Sequence, residues 1–463
     1  MNAFRTFSTT SLFVLAVLLS PREGKCQAGN STDWKAGVAR VAITPKQPMW
    51  MAGFAARTHV SEGALHELWA KALVLEDSDG KRVVLVTADL LGFPKGISDR
   101  IRNQLQERFG LGRAQIALNC SHSHSGPVLE HALYDIYPLD DEHLAKIIAY
   151  SRELEEKIIT LVGEALDALS PARLYARNGV TRFQVNRRNN NEGELLSQTE
   201  LKGPNDYAVP VLLVTDISGK TLAIAFGYAC HPTVLDQYQW SGDYPGFAQM
   251  ELESGHPGAI ALFFQGAGGD QNPMPRRSVA LARQFGRELA ASVDRVLEEE
   301  MPELRPRLSF AYGEIDLPLD NPPLEEELLQ IRNVPPSWPD RWAARQLEAR
   351  NRGEPVISSY PFPIQTWKLG DQALLILGGE LVVEYAIDFK RLFGHDIFVM
   401  GYTNDVMAYI PSETILKEGG YEGATSQMVY GLPSLWKTGI QAMIIREVQR
   451  VALEAGILLK QRE

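Results

Sequence analysis

The chain has 463 residues, a formal net charge of -11, and a composition that is 45% hydrophobic and 22% charged. That length allows two or three ordinary domains, or one large α/β body with additions. No repeat of fixed period occurs, which argues against a solenoid or propeller, and no dense lysine or arginine cluster occurs, so nucleic acid is not an expected partner.

The first 28 residues have the pattern of an export signal. Arg5 supplies positive charge, residues 11–19 form a short apolar core, and residues 26–28 suit a cleavage site. A retained membrane anchor is the alternative, although the apolar run is too short to span a bilayer comfortably. No later segment has ~18 consecutive apolar residues. We therefore predict an exported protein whose mature chain, residues 29–463, has no transmembrane segment.

Strand-like and helix-like segments alternate along the rest of the chain. Apolar runs and alternation predict strands, and apolar residues at helical spacing predict helices. In chain order, the predicted segments are a strand at 82–89, a helix at 96–109, a strand at 114–119, a helix at 141–169, a hairpin of strands at 209–216 and 221–229, a strand at 259–265, a helix at 278–300, strands at 372–377 and 396–401, and a helix at 435–461. This alternation predicts an α/β fold with a mixed β-sheet core flanked by helices.

Residues 317–360 interrupt that alternation. The stretch is rich in proline, glutamate, tryptophan and arginine, and it predicts short helices joined by loops. No clear domain boundary surrounds it. We therefore interpret the stretch as an insertion or lid within one domain that covers residues 29–463.

Two histidines stand two residues apart in the sequence NCSHSHSGP, residues 119–127, directly after a predicted strand. In an extended segment, residues two apart project to the same face. His122 and His124 could therefore face one cavity, where one binds a metal and the other acts as a base or hydrogen-bond donor. A polar loop is the alternative interpretation of this pair.

Four further loops at strand ends carry polar groups. His231 ends one strand, Glu380 ends another, residues 265–273 form a glycine-rich loop without the Gly-Lys-Ser/Thr element of a phosphate loop, and residues 401–424 carry tyrosines. Each feature alone has a structural explanation. Together, the imidazoles and the carboxylate make a plausible ligand set for a hydrolytic zinc with one open position.

A Ser-His-Asp triad is the other arrangement that these loops could provide. Its candidate nucleophiles are Ser121, Ser123 and Ser125. No Gly-X-Ser-X-Gly nucleophile elbow is present, which disfavours this interpretation. Cys120 and Cys230 each lie close to one of the histidines, and export would permit a disulfide between them. We expect two buried free thiols instead.

The motifs, in their order along the chain, resemble those of the neutral/alkaline non-lysosomal ceramidase family. That family's catalytic domain has the motif Ser-His-Thr-His-Ser-Gly-Pro, which corresponds here to residues 121–127, SHSHSGP. The resemblance covers most of the chain from about Gly37. Its further motifs are Asn186-Arg187-Arg188, Cys230-His231-Pro232-Thr233, Ser241-Gly242-Asp243, Gly269-Asp270, Gly378-Gly379-Glu380, and Tyr409 with Tyr421-Glu422-Gly423-Ala424.

The resemblance implies a ceramidase-like catalytic domain that hydrolyses an N-acyl, ceramide-like amide bond with the help of Zn²⁺. It assigns His122, His231, Glu380 and Tyr409 as zinc ligands, and His124, Arg187 and Tyr421 as catalytic residues. In this assignment His124 assists at the reacting centre, while a cation and a phenol orient the substrate and stabilise a developing negative charge. A small-molecule or lipid amide is the expected partner.

Two departures from the family pattern stand out. The family's Gly-Asp-Val-Ser-Pro-Asn motif appears here as residues 269–273, where Asn272 occupies the serine position. A serine's role cannot be carried over, but an amide could still hydrogen-bond to substrate, so Asp270 and Asn272 are predicted to contact it. The family's C-terminal immunoglobulin-like domain has no counterpart in this sequence, and we expect the catalytic domain alone.

Two alternative functions remain open at this stage. The same metal site could act on a more soluble amide or ester, which a comparison of ceramide with short-chain and non-lipid amides would reveal. A non-catalytic ligand-binding protein with this fold is the second alternative, and it would bind ligand without turnover.

Overall fold

The computed structural model of the protein describes residues 33–195, 197–332 and 337–460, together with Met1. The predicted export segment, apart from Met1, lies outside the described residues. Within the described part of the chain, no helix combines the length and the apolar character needed to cross a membrane.

The strands are, in chain order, β1 (Trp34–Ala42), β2 (Gly63–Ala64), β3 (Trp69–Glu76), β4 (Arg82–Ala88), β5 (Ile116–Cys120), β6 (Ser170–Val180), β7 (Gln184–Asn186), β8 (Ala208–Asp216), β9 (Thr221–Tyr228), β10 (Gln239–Trp240), β11 (Ile260–Gln265), β12 (Gln271–Pro273), β13 (Leu308–Pro318), β14 (Ser359–Leu369), β15 (Gln372–Leu377), β16 (Glu380–Leu381), β17 (Phe398–Met400) and β18 (Tyr409–Ile410). The α-helices are α1 (Lys95–Phe109), α2 (Asp141–Asp167), α3 (Asp243–Gly255), α4 (Val279–Glu298), α5 (Glu325–Arg332), α6 (Trp338–Asn351), α7 (Val383–Phe393), α8 (Glu413–Glu418), α9 (Ser426–Val429) and α10 (Ile440–Glu454).

Two mixed sheets form the core of residues 33–460. The larger sheet has the strand order β11-β9-β8-β6-β1-β3-β4-β5, with parallel pairs at β11-β9 and β4-β5 and antiparallel pairs between the others. The smaller sheet has the order β13-β14-β15-β17, in which only β15 and β17 run parallel. Both sheets are mixed, as the sequence predicts.

Apolar side chains on both faces of these sheets explain their stacking. One face of the large sheet packs against α1 and α2 at the β4-β5 end and against α3 and α4 at the β9-β11 end. Its other face meets the small sheet, where Leu85 and Leu262 share a core with Trp367 and Phe398. Helices α7 and α10 cover the far face of the small sheet. The layers therefore run helix, sheet, sheet, helix, which confirms a sheet core flanked by helices.

The predicted elements occur with small shifts at their ends, and one helix is much shorter than expected. The prediction of a helix at 435–461 is wrong at both ends, because α10 covers only Ile440–Glu454. Gly439, with φ 99°, precedes the helix, and Gly456, with φ 73°, follows it. Both glycines adopt the left-handed conformation that interrupts a right-handed helix.

The stretch at 317–360 is a long connection between two neighbouring strands. Leu317 of β13 pairs with Tyr360 of β14, so the stretch leaves and re-enters the small sheet at one point. Residues 317–360, which contain α5 and α6, form the excursion. The structure thus places the predicted short helices there, and a lid function stays a prediction.

Candidate metal centre

Strand ends bring the predicted ligands to one place. His122 follows β5 by two residues, and His231 follows β9 by three. Glu380 begins β16 and Tyr409 begins β18, and these two residues pair directly in a short parallel ladder. The four residues therefore lie in four different segments, just after the ends of β5 and β9 and at the starts of β16 and β18.

The side chains of these residues converge closely. Oε2 of Glu380 lies 3.1 Å from Nε2 of His122 and 3.1 Å from Nε2 of His231. The hydroxyl of Tyr409 lies 3.1 Å from Nε2 of His231. All four side chains are buried. The structure therefore brings together every residue that the family resemblance assigns as a zinc ligand.

Backbone carbonyls hold both histidine rings in one orientation. Nδ1 of His122 donates to the carbonyl of Leu91 at 2.7 Å, and Nδ1 of His231 donates to the carbonyl of Gly268 at 2.6 Å. Because a carbonyl only accepts, each Nδ1 carries a proton and each Nε2 is turned to the centre. This arrangement is typical of histidines that bind a metal. The backbone of His122 also has φ 63°. Residues other than glycine adopt this conformation mainly where the surroundings enforce it.

The charge states suit a cation. Burial, followed by the charge of Arg187, lowers the pKa of His231 to about 4, so its ring is neutral at pH 7. Burial alone would raise the pKa of Glu380, but positive charge at the adjacent His122 holds that pKa well below the usual value, so the site favours a carboxylate beside a cation. Imidazole nitrogens and a carboxylate are ligands that Zn²⁺ accepts, whereas Tyr409 is assigned as a ligand by the family resemblance alone. The residues present therefore fit a divalent metal ion.

His124 completes a group of three histidines whose potential ligand nitrogens lie within 4.8 Å of one another. Its Nε2 is 3.3 Å from Nε2 of His122, and its Nδ1 has no hydrogen-bond partner in the described residues. Burial, followed by the charge of His122, lowers the pKa of His124 well below its ordinary value. A neutral imidazole with one unengaged nitrogen can accept a proton.

Arg187 reaches the same centre from β7 and its following loop. Its guanidinium donates to the hydroxyl of Tyr409 at 3.0 Å, to Oε1 of Glu422 at 2.7 Å and to Oδ1 of Asn272 at 3.3 Å. Arg188 holds the other oxygen of Glu422 at 2.8 Å. Arg187 is thus fixed by two residues while it contacts a candidate ligand.

Tyr421 lies beside Tyr409 and is partly exposed. Its ring lies 5.3 Å from the ring of Tyr409, edge to face, and the residue is 45% exposed. It begins a π-helical turn, Tyr421–Thr425, and such turns occur frequently at functional sites. Tyr421 therefore adds a second tyrosine next to the buried group.

Both carboxylate oxygens and the backbone carbonyl of Asp270 accept hydrogen bonds. Its Oδ1 accepts from the backbone amide of Val383 at 2.9 Å, and its Oδ2 accepts from the side chain of Asn186 at 2.8 Å. Its backbone carbonyl accepts from the amide of Arg187 at 2.9 Å. The geometry favours a role in positioning the Asn186-Arg187 segment, and a substrate contact by Asp270 stays a prediction.

Sequence reasoning missed a contact to Glu380. The hydroxyl of Tyr430 donates to its Oε1, and the hydroxyl of Tyr402 lies 3.5 Å from its Oε2. Tyr402 has φ 52°, which again marks a constrained backbone at the centre. No local pattern around either tyrosine indicates this role, because both contacts depend on how distant segments pack.

The serines of the 121–127 loop do not form a triad in the described structure. Ser123 donates to the carbonyl of Ser241 at 2.6 Å, and the hydroxyls of Ser121 and Ser125 have no partner among the described residues. The predicted free thiols, at Cys120 and Cys230, are confirmed, since both are buried and unpaired.

About half of the chain is similar in sequence to known neutral ceramidases. The model of the N-terminal part of neutral/alkaline non-lysosomal ceramidases matches residues 34–276. Neutral ceramidase of Drosophila pseudoobscura pseudoobscura is 26% identical over 255 residues, 52% of this chain and 34% of that protein. Neutral ceramidase A of Dictyostelium discoideum is 26% identical over 280 residues, 55% of this chain and 38% of that protein. The matched region thus spans little more than a third of these relatives.

Two solved structures share the fold. The crystal structure of neutral ceramidase from Pseudomonas aeruginosa has a TM-score of 0.68 at 19% identity, covering 93% of this chain and 76% of that chain. A ceramidase complexed with C2 has a TM-score of 0.69 at 18% identity, covering 93% of this chain and 77% of that chain.

Proposed function

Because this chain belongs to the neutral/alkaline non-lysosomal ceramidase family, we propose that it is a zinc-dependent amidohydrolase that cleaves an N-acyl bond of the ceramide type. The observation that carries the proposal is the meeting of His122, His231, Glu380 and Tyr409 with their ligand atoms turned inward. His124 and Arg187 stand at the same centre with groups suited to proton transfer and to anion binding. Export, predicted from residues 1–28, is part of the proposal.

His122, His231, Glu380 and Tyr409 would hold the metal. A bound zinc supplies a Lewis acid and a water of lowered pKa for attack on the amide carbonyl. Each of three ligand side chains is held by a hydrogen bond at the atom that does not face the metal. Nδ1 of His122 and of His231 donate to backbone carbonyls, and Oε1 of Glu380 accepts from Tyr430. Such supporting contacts orient ligands and maintain metal affinity.

The remaining residues have roles that follow from their chemistry. The amide carbon gains an oxygen from water, the carbon–nitrogen bond breaks, and the leaving nitrogen takes up a proton. His124 is neutral and has an unengaged nitrogen, so it can take a proton from water and deliver it to that nitrogen. Arg187 and the hydroxyl of Tyr421 can donate to the carbonyl oxygen as negative charge develops on it. Asn272, which contacts Arg187 at 3.3 Å, provides an amide for a polar group of the substrate.

Metal content and turnover of the same samples test this proposal. We would measure metals by mass spectrometry in the purified chain, in His122→Ala, and in His256→Ala as a control, because His256 pairs with Asp294 outside the centre. We expect about one zinc per chain in the wild type and the control, and loss of both zinc and ceramide cleavage in His122→Ala.

The substrate panel separates the alternatives. Ceramide, short-chain N-acyl amides, non-lipid amides and the matching esters would be assayed on each protein. Zinc with turnover of soluble amides or esters alone would replace ceramide as the substrate class. Full zinc content and full activity in His122→Ala would overturn the metal centre, and saturable ligand binding without turnover would favour a binding protein.

A further inference from the structure

A cavity of about 100 Å³ lies next to the candidate metal centre. Its walls are mostly apolar and include Leu91, Pro94, Leu129, Val406, Met407 and Leu432. Tyr430 also lines the cavity, and its hydroxyl donates to Glu380. Tyr430 thus connects this cavity with the centre. The volume suits a short apolar stem rather than a whole lipid.

One carboxylate in the cavity wall lacks a partner on one of its oxygens. Asp405 lines the cavity and is 3% exposed. Its Oδ2 accepts a hydrogen bond from Tyr360 at 2.9 Å, whereas its Oδ1 has no hydrogen-bond partner among the described residues. A buried carboxylate oxygen without a donor is costly, so a donor is expected beside it.

The charges around Asp405 indicate which donor would fit. Lys95 also lines the cavity, but its ammonium pairs with Asp99 at 3.2 Å and with Glu314 at 3.6 Å. Asp99 is further matched by Arg113 at 2.6 Å. The nearby cations are therefore paired with other carboxylates, and the one hydrogen bond that the carboxylate of Asp405 accepts among the described residues comes from the neutral hydroxyl of Tyr360. A ligand that brings its own positive charge complements this site better than a neutral one.

We propose that this cavity is a subsite for a primary ammonium group on a short apolar stem. The ammonium donates to Oδ1 of Asp405, and the stem packs among Leu129, Val406 and Leu432. An amine is also the product class of amide hydrolysis. The identification of this ligand with a product rests on the proposed function, whereas its binding requires neither metal nor turnover.

Calorimetry with three six-carbon probes tests the subsite. We would titrate n-hexylamine, n-hexanol and hexanoate at pH 8 into the wild type, Asp405→Asn and Asp371→Asn. The last variant is a matched control, because Asp371 is exposed and pairs with Arg305. We expect saturable binding of hexylamine to the wild type and the control, and affinity at least about tenfold lower in Asp405→Asn and for hexanol. Ala132→Leu, which adds volume to the cavity wall, should also weaken binding while it retains the carboxylate.

Three results would overturn the inference: no saturable binding of hexylamine to the wild type, equal affinity in Asp405→Asn, or hexanol binding as tightly as hexylamine. Thermal melting of each variant verifies that it is folded. If Asp405→Asn is not folded, Ala132→Leu replaces it as the variant that tests the subsite. Hexylamine binding by a protein that cleaves no amide would keep the subsite and reject the proposed function. Amide cleavage without hexylamine binding would do the reverse.

Discussion

Oε2 of Glu380 lies 3.1 Å from Nε2 of His231, and both side chains are buried. Because Nδ1 of His231 donates to the carbonyl of Gly268, Nε2 presents a lone pair to a carboxylate oxygen. Two acceptors at that distance repel each other unless a proton or a cation lies between them. Nε2 of His122 is in the same position relative to the same oxygen. A shared cation would satisfy all three groups together.

Removal of the metal should therefore destabilise the protein. Chelation of the wild type should lower its melting temperature, because a ligand present at about 1,000 times its Kd contributes roughly 4 kcal/mol to stability. His122→Ala should show a much smaller shift on chelation. Melting curves with and without chelator, followed by zinc addition, measure this effect. An identical shift in the wild type and His122→Ala would contradict a centre that depends on His122.

Replacement of His124 should separate metal binding from catalysis. His124→Gln should keep about one zinc per chain and lose roughly 10²–10⁴-fold in kcat, because proton transfer contributes on that scale. His59→Gln is the control, since His59 is exposed and bonds with Glu62. Zinc analysis and amide turnover on the same samples provide the measurement. Full turnover in His124→Gln would exclude the proposed proton transfer.

Arg187→Lys should impair function although it preserves the charge. Lysine lacks the planar fork with which Arg187 contacts Tyr409, Glu422 and Asn272 together. We expect a loss of roughly 10²–10³-fold in kcat/KM, comparable with removal of an oxyanion donor.

The neighbouring variant Arg188→Lys controls for the shared partner, because Arg188 also binds Glu422 but makes no contact with Tyr409 among the described hydrogen bonds. It should remain within about tenfold of the wild type. Equal losses in Arg187→Lys and Arg188→Lys would attribute the effect to support of Glu422 rather than to contact with the centre.

The buried carboxylate of Asp405 should make stability depend on pH. Burial raises the pKa of Asp405 to about 7 in the folded protein, from an ordinary value of 3.8. A raised folded-state pKa contributes stability that is fully present below pH 3.8 and is lost as pH rises through about 7. The free energy of unfolding of Asp405→Asn should therefore exceed that of the wild type by about 2–4 kcal/mol at pH 8, and the two values should match near pH 4.

Urea unfolding of the wild type and Asp405→Asn across this pH range measures the difference between their free energies of unfolding. Both proteins contain all other titrating groups, so the contributions of those groups cancel in this difference. The groups near Asp405 are Tyr360, Lys95, Asp99 and Glu314. Asp371→Asn, at an exposed position, should show no such trend. A constant difference between wild type and Asp405→Asn from pH 4 to pH 8 would show that Asp405 does not titrate as described.

The excursion should affect the centre through Arg345. Its Nε donates to both carboxylate oxygens of Asp135 at 3.0 Å, and its Nη2 donates to the carbonyl of Gly431 at 3.0 Å. Gly431 adjoins Tyr430, which bonds to Glu380. Arg345→Ala should increase protease cleavage within the excursion and lower kcat by roughly tenfold. Arg352 forms an exposed pair with Glu354, so Arg352→Ala should change neither the protease cleavage nor kcat. Equal cleavage of both variants would argue against a role of Arg345 in holding the excursion to the Asp135 and Gly431 segments.

Local patterns in the sequence determined the elements and the types of chemistry. Apolar periodicity located α1, α2, α4 and the β8-β9 hairpin, because helices and hairpins depend on neighbours a few residues away. The ordered motifs singled out His122, His231 and Glu380 because reactive groups cluster in loops at strand ends. The helix at α10 was predicted too long at both ends, since apolar spacing continues past the two glycines, Gly439 and Gly456, that flank it.

Only the tertiary structure decided how these parts meet. The stacking of two sheets, the closure of the excursion at the Leu317-Tyr360 pair, and the contact of Tyr430 with Glu380 join segments that are distant in the chain. The proton positions on His122 and His231 likewise depend on the carbonyls of remote loops. Periodicity reports which face of a segment is buried, whereas the partner against which it is buried follows from long-range packing of the whole core.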